Sequence, residues 1–376
     1  YALGAEATAD GRLLVVFLRG AMDGLFAFSP TADAQLATLR PSLAKAAMEH
    51  GIALGQTGFS AHPTCAPLAQ LFAAGDLAFA PCAGTTDASR SHFQAQDLFE
   101  LGSGATHGDT GFMARAAQLL GSTRGAISFT QGIPLSFQNN NEDLGLEVAP
   151  LVGSGLKLPQ GRVLAAIRQA HQGQGTGQAL EQAIATQADI ETAMNQPMMG
   201  GMDAGASRGA PMAKGFARQA EQMGRMLRAN NRLSLAFLDL GGWDTHAGEE
   251  GILSRSLGDL SQGLVALKES LGDQEWRRTR VVVMTEFGRT VCENGTHGTD
   301  HGHGGLALLL GGNIHGGRML GHFDGLADQH LNQARDLPVN VDWRSLLAAC
   351  LRESHGFNEA QLNEVFPGLP RQTLKV

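Results

Sequence analysis

The sequence predicts an α/β protein with a mainly parallel central sheet that is covered by helices on both faces. Short apolar runs recur along the chain, and several stretches between them place apolar residues three or four positions apart. The first pattern is typical of buried strands and the second of helices that bury one side. Strands that alternate with helices form βαβ units and hence a parallel sheet. Hydrophobic residues make up 43% of the 376 residues, which is sufficient for a large core.

The first half of the chain contains both kinds of segment. Residues 12–18 are almost entirely apolar and predict the first buried strand. Residues 31–50 predict two short helices, because Pro41 interrupts the helical spacing. Further elements are predicted as a helix at 67–74, strands at 77–81 and 126–129, a helix over 91–101 and a helix over most of 162–194.

The second half repeats the alternation more regularly. Helix–strand pairs are predicted at 215–230 with 233–240 and at 253–271 with 281–284, followed by a strand at 306–310. Between the halves, residues 195–212 are rich in Gly, Met, Ala and Pro, which predicts a flexible excursion. We therefore expect a single domain over residues 1–376, with one such excursion.

Composition excludes several classes of partner. The formal net charge is -8, whereas a nucleic-acid surface needs an excess of basic residues. No apolar run approaches the ~20 residues of a membrane-spanning helix.

The cysteines lack the CxxC spacing of a zinc ribbon. Cys65 and Cys82 either form a disulfide, if the protein is exported, or are buried free thiols.

Three polar clusters mark the ends of predicted strands. They are residues 241–246, after the strand at 233–240, residues 285–289, after the strand at 281–284, and residues 298–305, before the strand at 306–310. In α/β sheets, ligands bind at the carboxyl ends of strands, where loops carry the chemistry. Because the clusters gather carboxylates and imidazoles, they predict a metal centre.

Two of these clusters contain the strongest candidate ligands. Asp244 and His246 are two residues apart, so in an extended segment both side chains point the same way and can bind one ion. Asp300, His301 and His303 form the densest group, with glycines that permit close backbone approach. Imidazole with carboxylate suits zinc, manganese or iron, and an all-oxygen set suits magnesium or calcium. A divalent metal is predicted, with zinc, manganese and calcium all left open.

Two further carboxylates extend the predicted centre. Glu286 emerges at the carboxyl edge of the sheet, where it is either a ligand or the ion-pair partner of Arg289. Asp23 lies in the loop after the first strand, although an Asp-Gly pair is also a common turn.

A candidate nucleophile lies at the start of the helix predicted over 91–101. Ser91 is either an N-cap or a hydroxyl whose attack on an anionic ester is helped by the helix dipole and by Arg90. A second serine, Ser207, lies in a Gly-x-Ser-x-Gly match at 205–209. No strand is predicted before it, so a lipase-like nucleophile elbow is not expected.

Taken in order, these segments resemble the alkaline phosphatase/sulfatase superfamily. Within it they are similar to a bacterial branch that is exported through the twin-arginine route and catalogued as a domain of unknown function. The resemblance extends over nearly the whole chain, and its most specific motifs are residues 91–97, 241–246, 285–289 and 300–302. By position it implies a nucleophile at Ser91 and metal ligands at Asp23, Asp244, His246, Asp300 or His301, and His303.

The chain departs from this superfamily at Glu286-Phe287, where an Asp-His pair is usual. One ligand is therefore lost, and a single-metal or altered site is expected. The resemblance implies a periplasmic or extracellular, metal-dependent hydrolase of phosphate or sulfate esters, acting on a small-molecule or glycan ester. Ser91 would attack, and Arg90 would hold the anion. The alternative, which Phe287 favours, is a non-catalytic secreted binding or assembly protein that retains the fold with a degenerate metal site.

Overall fold

The computed structural model describes residues 10–85, 87, 89–121, 124–140, 146–150, 205–370, 372 and 374–376. The helix predicted within 162–194 and residues 195–204 of the predicted excursion lie outside this part of the chain. The described residues up to Ala149 and from residue 205 onward belong to one compact unit. A single domain over residues 1–376 stays a prediction.

The described chain forms one large sheet and one small sheet. Its strands are β1 Arg12–Leu18, β2 Phe28–Ser29, β3 Ile52–Ala53, β4 Ser60–Ala61, β5 Leu77–Gly84, β6 Gly125–Ser128, β7 Leu146–Val148, β8 Leu233–Leu240, β9 Thr279–Thr285, β10 Gly305–Gly311 and β11 Val341–Asp342. The large sheet has the order β11-β5-β10-β9-β1-β8-β6-β7, and the small one has the order β2-β4-β3. β1 pairs in parallel with β8 and β9, whereas β10 is antiparallel to β9 and β5. The predicted mainly parallel α/β sheet is confirmed.

The helices of the described residues follow the predicted alternation. They are α1 Gly24–Ala27, α2 Leu36–Leu39, α3 Lys45–His50, α4 Ala66–Ala73, α5 His92–Leu101, α6 Phe112–Leu120, α7 Phe216–Ala229, α8 Glu249–Arg278, α9 Trp343–His355 and α10 Glu359–Val365. α8 is longer than predicted and is broken at Gly272, where φ is 74°.

The core lies on both faces of β1, whose residues are all buried. Alternate residues of a strand point to opposite faces, and Leu13, Val15 and Phe17 belong to one apolar cluster with residues of α5, α6, α9 and α10. No described residue of α7 or α8 belongs to that cluster. Instead α8 contacts β9 and β10 and packs closely on α7, where Gly263 leaves room for the ring of Phe216. Helices therefore cover both faces of the sheet, as predicted.

The direction of β10 brings the third polar cluster to the other two. Because β10 is antiparallel to β9, the residues that precede β10 lie at the same edge as those that follow β1, β8 and β9. The loops approach closely there, since a Cβ on Gly288 would lie 1.8 Å from the carbonyl oxygen of Gly304. The three predicted clusters thus meet at one edge of the sheet.

Two other predicted features have defined positions. The cysteines of the described chain are free, and Cys65 and Cys82 are buried thiols, each with a pKa that burial raises to about 12. Residues 205–212, the described part of the excursion, are hydrogen-bonded to α5 and to the loop after β8, both at the edge of the sheet where the three polar clusters meet, which we call the polar edge. The carbonyl of Ala206 accepts from Gln96 Nε2 at 2.7 Å, and Ser207 Oγ accepts from a backbone N–H of the loop after β8 at 3.0 Å.

Candidate metal centre

Three buried or half-buried side chains at the polar edge present their ligand atoms to one point. His92, Asp244 and His301 each offer one atom, and these atoms lie within 4.8 Å of one another. A fourth side chain adjoins them, because His246 Nε2 lies 2.9 Å from Asp244 Oδ1 and 3.1 Å from His301 Nε2. We call these four residues the histidine cluster.

Three separate elements position the histidine cluster. Asp244 and His246 lie in the loop that follows β8, and His301 lies in the loop that precedes β10. His92 is the first residue of α5, and its ring stacks on Phe287 with centroids 4.9 Å apart. Burial and the contact with Phe287 hold the ring of His92 in one orientation, as a metal site requires, whereas the His246 side chain is 40% exposed.

The hydrogen bonds of the outer ring nitrogens fix which nitrogen of each imidazole carries a proton. His301 Nδ1 lies 2.9 Å from the carbonyl oxygen of Arg90, which can only accept, so Nδ1 donates. His92 Nδ1 likewise lies 2.8 Å from Glu286 Oε1. Each neutral ring then directs a bare Nε2 lone pair inward, and the two Nε2 atoms are 3.0 Å apart. Two facing lone pairs repel each other unless a cation lies between them or one ring is protonated.

The electrostatics of the histidine cluster also call for a positive charge. Burial lowers the pKa of His92, but its hydrogen bonds to Asp244 and Glu286 outweigh this effect and raise the pKa to about 9. Burial raises the pKa of Asp244, but hydrogen bonds from His301 and His92 and the charge of Arg289 lower it well below its usual range. A divalent cation would supply the same charge without an imidazolium.

The spacing of the ligand atoms suits a single metal ion. A tetrahedral ion bound at 2.0–2.1 Å places its ligand atoms about 3.3–3.4 Å apart. In the histidine cluster, the contacts between these atoms range from 2.9 Å, for His246 Nε2 and Asp244 Oδ1, to 3.4 Å, for His92 Nε2 and Asp244 Oδ2, which is at or slightly below this spacing. Three imidazoles with one carboxylate are typical of zinc and are also compatible with manganese or iron.

Arg289 ties the loops of this edge together. Its guanidinium donates to Asp244 Oδ1 at 2.7 Å and to the carbonyls of Gly20 and Ala21 at 2.6 Å each. Ala21 adopts a φ of 56°, a strained value for alanine that these contacts hold in place. A side chain on Gly20 would place Cβ 2.5 Å from the backbone nitrogen of Asp244, so only glycine permits this approach.

Glu286 lies behind His92. Its Oε1 accepts from Gly20 N and Gln96 Nε2, both at 2.9 Å, as well as from His92. Its Oε2 accepts from Thr285 Oγ1 at 2.9 Å. Burial alone would raise the pKa of Glu286. The hydrogen bond and the charge of His92 lower it by more than burial raises it, so the pKa lies below its usual value. The Glu286 carboxylate therefore orients the imidazole of His92. The sequence left open an ion pair between Glu286 and Arg289, but within the described chain Arg289 pairs with Asp244 instead.

Asp23 belongs to a different set of contacts. One carboxylate oxygen caps α1 through Leu25 N at 3.0 Å, and the other forms an ion pair with Arg40. Arg40 also donates to the carbonyls of Val291 and Thr290. Asp23 is therefore not brought into the group formed by His92, Asp244 and His301.

The remaining predicted ligands lie at the rim of the centre. Asp300 is 57% exposed, and its Oδ1 lies 3.6 Å from His246 Nδ1, which is beyond hydrogen-bond distance. His303 is outside the metal-like group. Its carbonyl accepts from Gly288 N at 2.8 Å, and burial lowers the pKa of its ring.

Ser91 and Arg90 immediately precede the helix that begins with His92. Ser91 is the N-cap residue of α5, but its side chain makes no capping hydrogen bond. The expected N-cap bond is therefore absent, and this hydroxyl is not committed to the helix. Arg90 donates to Asp336 Oδ2 at 2.9 Å and to Gln333 Oε1 at 3.1 Å, while its carbonyl orients His301.

Sequence reasoning overlooked His92 as a candidate ligand. The residue appeared in the motif 91–97, but its partners Glu286 and His301 are 194 and 209 positions away. The available signal was its place at the start of a helix that follows a strand of the same sheet.

The fold and the histidine cluster define an α/β protein with a candidate single-metal centre at the carboxyl edge of its sheet. The family described as "Protein of unknown function (DUF1501)" matches residues 88–366, and the chain belongs to this family. This agrees with the domain of unknown function that the sequence motifs indicated, whereas export through the twin-arginine route stays a prediction. No curated protein matches the chain.

Several solved structures are similar to the chain. Ps i-CgsB in complex with k-i-k-neocarrahexaose has 10% identity and a TM-score of 0.46, covering 94% of this chain and 74% of that chain. A protein in the alkaline phosphatase superfamily from Vibrio parahaemolyticus has 10% identity and a TM-score of 0.40, covering 82% and 62%. Alkaline phosphatase from the Antarctic bacterium TAB5 has 9% identity and a TM-score of 0.36, covering 94% and 98%. Similarity at this level defines neither a substrate nor a reaction for this chain.

None of the helices in the described residues is both long enough and apolar enough to span a membrane.

Proposed function

We propose that this chain is a metal-dependent hydrolase of phosphate or sulfate esters with a single metal ion held by the histidine cluster. The observation that carries this proposal is the convergence of His92 Nε2 and His301 Nε2, 3.0 Å apart, beside the Asp244 carboxylate. A cation satisfies this arrangement, and carbonyl and carboxylate acceptors on the outer nitrogens are the usual supports of metal-binding histidines.

The residues around the cluster have separate roles in this proposal. His92, Asp244, His246 and His301 hold the ion, and Glu286 and the carbonyl of Arg90 orient two of the rings. When bound, a divalent metal polarises the ester and lowers the pKa of the attacking group. Asp300 and His303 lie outside this ligand set, and Asp23 has its carboxylate occupied by Arg40.

Ser91 supplies the attacking hydroxyl. It adjoins His92 at the N-terminus of α5, where the helix dipole favours a bound anion, and its side chain is not engaged as a cap. Arg90 lies beside it and would hold the ester's negative charge. The substrate is a small-molecule or glycan ester, and the location is periplasmic or extracellular, as the sequence resemblance implies.

Metal analysis and turnover test this proposal together. Protein purified without chelator should contain about one metal ion per chain, by the ligand count of a single site. It should cleave an aryl phosphate or an aryl sulfate, lose that activity with chelator and regain it with added zinc or manganese. Ser91→Ala should abolish turnover without releasing metal, whereas Ser270→Ala on the distant helix α8 should change neither. Absence of both metal and turnover would refute the proposal.

A non-catalytic binding or assembly protein is the second candidate. Phe287 favours it, because its ring packs against His92 and His301 at the place where the superfamily resemblance implies another ligand. Metal binding without turnover of either ester class would support this candidate over hydrolysis.

A further inference from the structure

Residues 205–212, which we call the 205–212 segment, are bound both to α5 and to the end of β8. Arg208 binds the solvent-facing side of α5, because its Nη1 lies 2.7 Å from Asp97 Oδ1 and its Nη2 donates to the carbonyl of Phe93 at 2.9 Å. The Arg208 guanidinium also lies over the Phe93 ring, 5.4 Å from its centroid. On the other side, the backbone nitrogen of Gly241 donates to a carbonyl of the segment at 2.8 Å. The 205–212 segment is thus held against two of the elements that carry the histidine cluster.

Gln96 lies on the buried side of α5, and both polar atoms of its side chain are hydrogen-bonded. Its Oε1 accepts from Arg19 Nη1 at 3.0 Å. Since a guanidinium can only donate, the amide oxygen must face Arg19 and the amide nitrogen must face the opposite way. Nε2 carries two hydrogens, and it donates to the carbonyl of Ala206 at 2.7 Å and to Oε1 of Glu286 at 2.9 Å. One amide group therefore joins the 205–212 segment to Glu286.

The orientation of the Gln96 amide is fixed because Arg19 is itself held by two buried carboxylates. Arg19 Nε donates to Asp239 Oδ2 at 2.7 Å, and Nη2 donates to Glu100 Oε1 at 2.8 Å. Gln96 is 0% exposed, so water cannot replace a lost partner. A flipped amide would direct its oxygen at the Glu286 carboxylate and its N–H groups at a guanidinium, and both contacts would be repulsive. Loss of the segment's carbonyl would therefore leave a buried N–H without an acceptor, which is unfavourable.

Glu286 connects the amide of Gln96 to His92. The same oxygen, Oε1, accepts from Gln96 Nε2 at 2.9 Å and from His92 Nδ1 at 2.8 Å. A displacement of this oxygen would turn the ring of His92, whose Nε2 lies 3.0 Å from His301 Nε2. Carboxylates that orient metal-binding histidines alter metal affinity by about 10–100-fold. One continuous chain of hydrogen bonds thus leads from the carbonyl of Ala206 to the imidazole of His92.

We infer that Gln96 is a positioning residue that couples the 205–212 segment to the orientation of His92 and, through it, to metal affinity. While the segment is bound to α5, Gln96 holds Glu286 so that the ring of His92 keeps its ligand orientation. When the segment is released, the ring loses this support and metal affinity falls. By linkage, metal binding should hold the segment in place by the same factor. The effect on affinity rests on the metal site of the proposed function, and it does not require that the chain hydrolyse an ester.

Zinc affinities of two variants of the full chain, alone and combined, test the coupling by titration calorimetry. Gln96→Met keeps the length of the side chain but removes the amide, and it should weaken zinc binding by about 10–100-fold. Arg208→Ala removes the segment's ion pair and hydrogen bond to α5, and it should weaken zinc binding by about fivefold or more, as is typical of coupled sites. The double variant should bind zinc as weakly as Gln96→Met alone, because both changes act through the same amide. Arg225→Ala, which removes an exposed and paired arginine of α7, is the matched control and should leave the affinity unchanged.

The Nδ1–H proton of His92 provides a readout that needs no metal. Because it is hydrogen-bonded to a buried carboxylate, it should exchange slowly with water and give a downfield NMR signal, which His92→Phe assigns by its loss. Arg208→Ala should shift this signal or speed its exchange, whereas Arg225→Ala should do neither. In the unaltered protein, added zinc should also slow hydrogen exchange of the backbone amides of the 205–212 segment, and Gln96→Met should remove that effect.

Failure of this inference is distinguishable from failure of the proposed function. If the unaltered protein binds no zinc but the His92 signal responds to Arg208→Ala, the metal site is wrong and the link between the segment and His92 stands. A zinc affinity and a His92 signal that are both unchanged in Arg208→Ala would overturn the inference. So would effects on zinc affinity that simply add in the double variant. If Gln96→Met does not fold, the measurements on Arg208→Ala decide the question.

Discussion

Two buried polar groups lie at the polar edge of the sheet, and they differ in where their positive charge comes from. In the first, Asp23 forms an ion pair with Arg40, both residues being 1% exposed. In the second, Asp244 pairs with Arg289, but the carboxylate of Glu286 lies close by and the Nε2 lone pairs of two imidazoles face each other. We call the first group the Asp23–Arg40 pair.

The difference separates a structural group from a candidate functional one. The Asp23–Arg40 pair is complete, because the guanidinium also binds two carbonyls of the loop after β9. Burial and the charge of Asp23 raise the pKa of the neighbouring Glu249 well above its usual value, which disfavours a second carboxylate charge beside the pair. In the histidine cluster, by contrast, the two carboxylates of Asp244 and Glu286 face only one guanidinium of the described chain, that of Arg289, as long as the imidazoles are neutral. The missing positive charge must come from a protonated imidazole or from a bound cation.

The largest effect is expected on the free energy of unfolding when the guanidinium of the Asp23–Arg40 pair is removed. Arg40→Met leaves Asp23 buried without a partner, and we expect it to lower the free energy of unfolding by about 3–5 kcal/mol. Chemical denaturation measures this. Arg225→Met is the matched control, because its exposed pair with Glu221 contributes only about 0.3–0.5 kcal/mol. A loss below 1 kcal/mol, on the order of an ordinary surface change, would show that the pair is not the structural element we describe.

Removing a ligand of the histidine cluster should act on metal affinity instead. His301→Ala should weaken zinc binding more than about 100-fold, because loss of an outer-shell partner alone costs about 10–100-fold. Titration calorimetry measures the affinity. His322→Ala removes an exposed histidine outside the cluster and should leave it unchanged. Equal zinc affinity in both variants would contradict the assignment of the cluster as the metal centre.

A smaller effect is expected when only the support of His92 is changed. Glu286→Gln keeps the shape of the side chain but removes the charge that orients the ring, so zinc affinity should fall by about 10–100-fold. Glu293→Gln, which alters a carboxylate bound to Ser42, is the control. If Glu286→Gln abolishes binding as completely as His301→Ala does, Glu286 is a direct ligand, as the sequence left open.

The smallest effect concerns the pH dependence of the Asp23–Arg40 region. The folded state raises the pKa of Glu249 above 4.5 through burial and the charge of Asp23, so its contribution to stability is fully present below that value. The contribution is lost as pH rises through the folded-state pKa. The side chain in Glu249→Gln cannot ionise, so this variant should not lose stability as the pH rises in the way that the unaltered protein does.

Thermal unfolding across pH checks this sign. The melting temperature of Glu249→Gln relative to the unaltered protein should be lowest near pH 4 and should increase as the pH rises. A relative melting temperature that falls with rising pH would mean that Glu249 is stabilised as a carboxylate.

The sequence predicted where the site lies better than which residues form it. Apolar runs located the core strands, and the polar residues at their ends located the edge where Asp244, His246 and His301 meet. The direction of β10 could not be predicted, because hydrophobicity does not distinguish parallel from antiparallel pairing of a buried strand. His92 was overlooked for a related reason, since only the completed sheet brings it to its partners. Arg40, which forms the ion pair with Asp23, directly follows the short helix α2. No sequence motif distinguishes it from other arginines, so this pairing could not be predicted.

The antiparallel direction of β10 has a consequence for how the protein folds. Because His301 reaches the other ligands only after β10 has paired with β9, the ligand set cannot assemble on a partly folded chain. His92 and His301 are 209 positions apart, and contacts between segments so distant in the chain form late and slowly. A metal that binds only the completed arrangement would then stabilise the native state by a free energy that rises with the logarithm of the metal concentration above Kd. The rate of metal uptake during refolding would therefore report closure of the whole sheet.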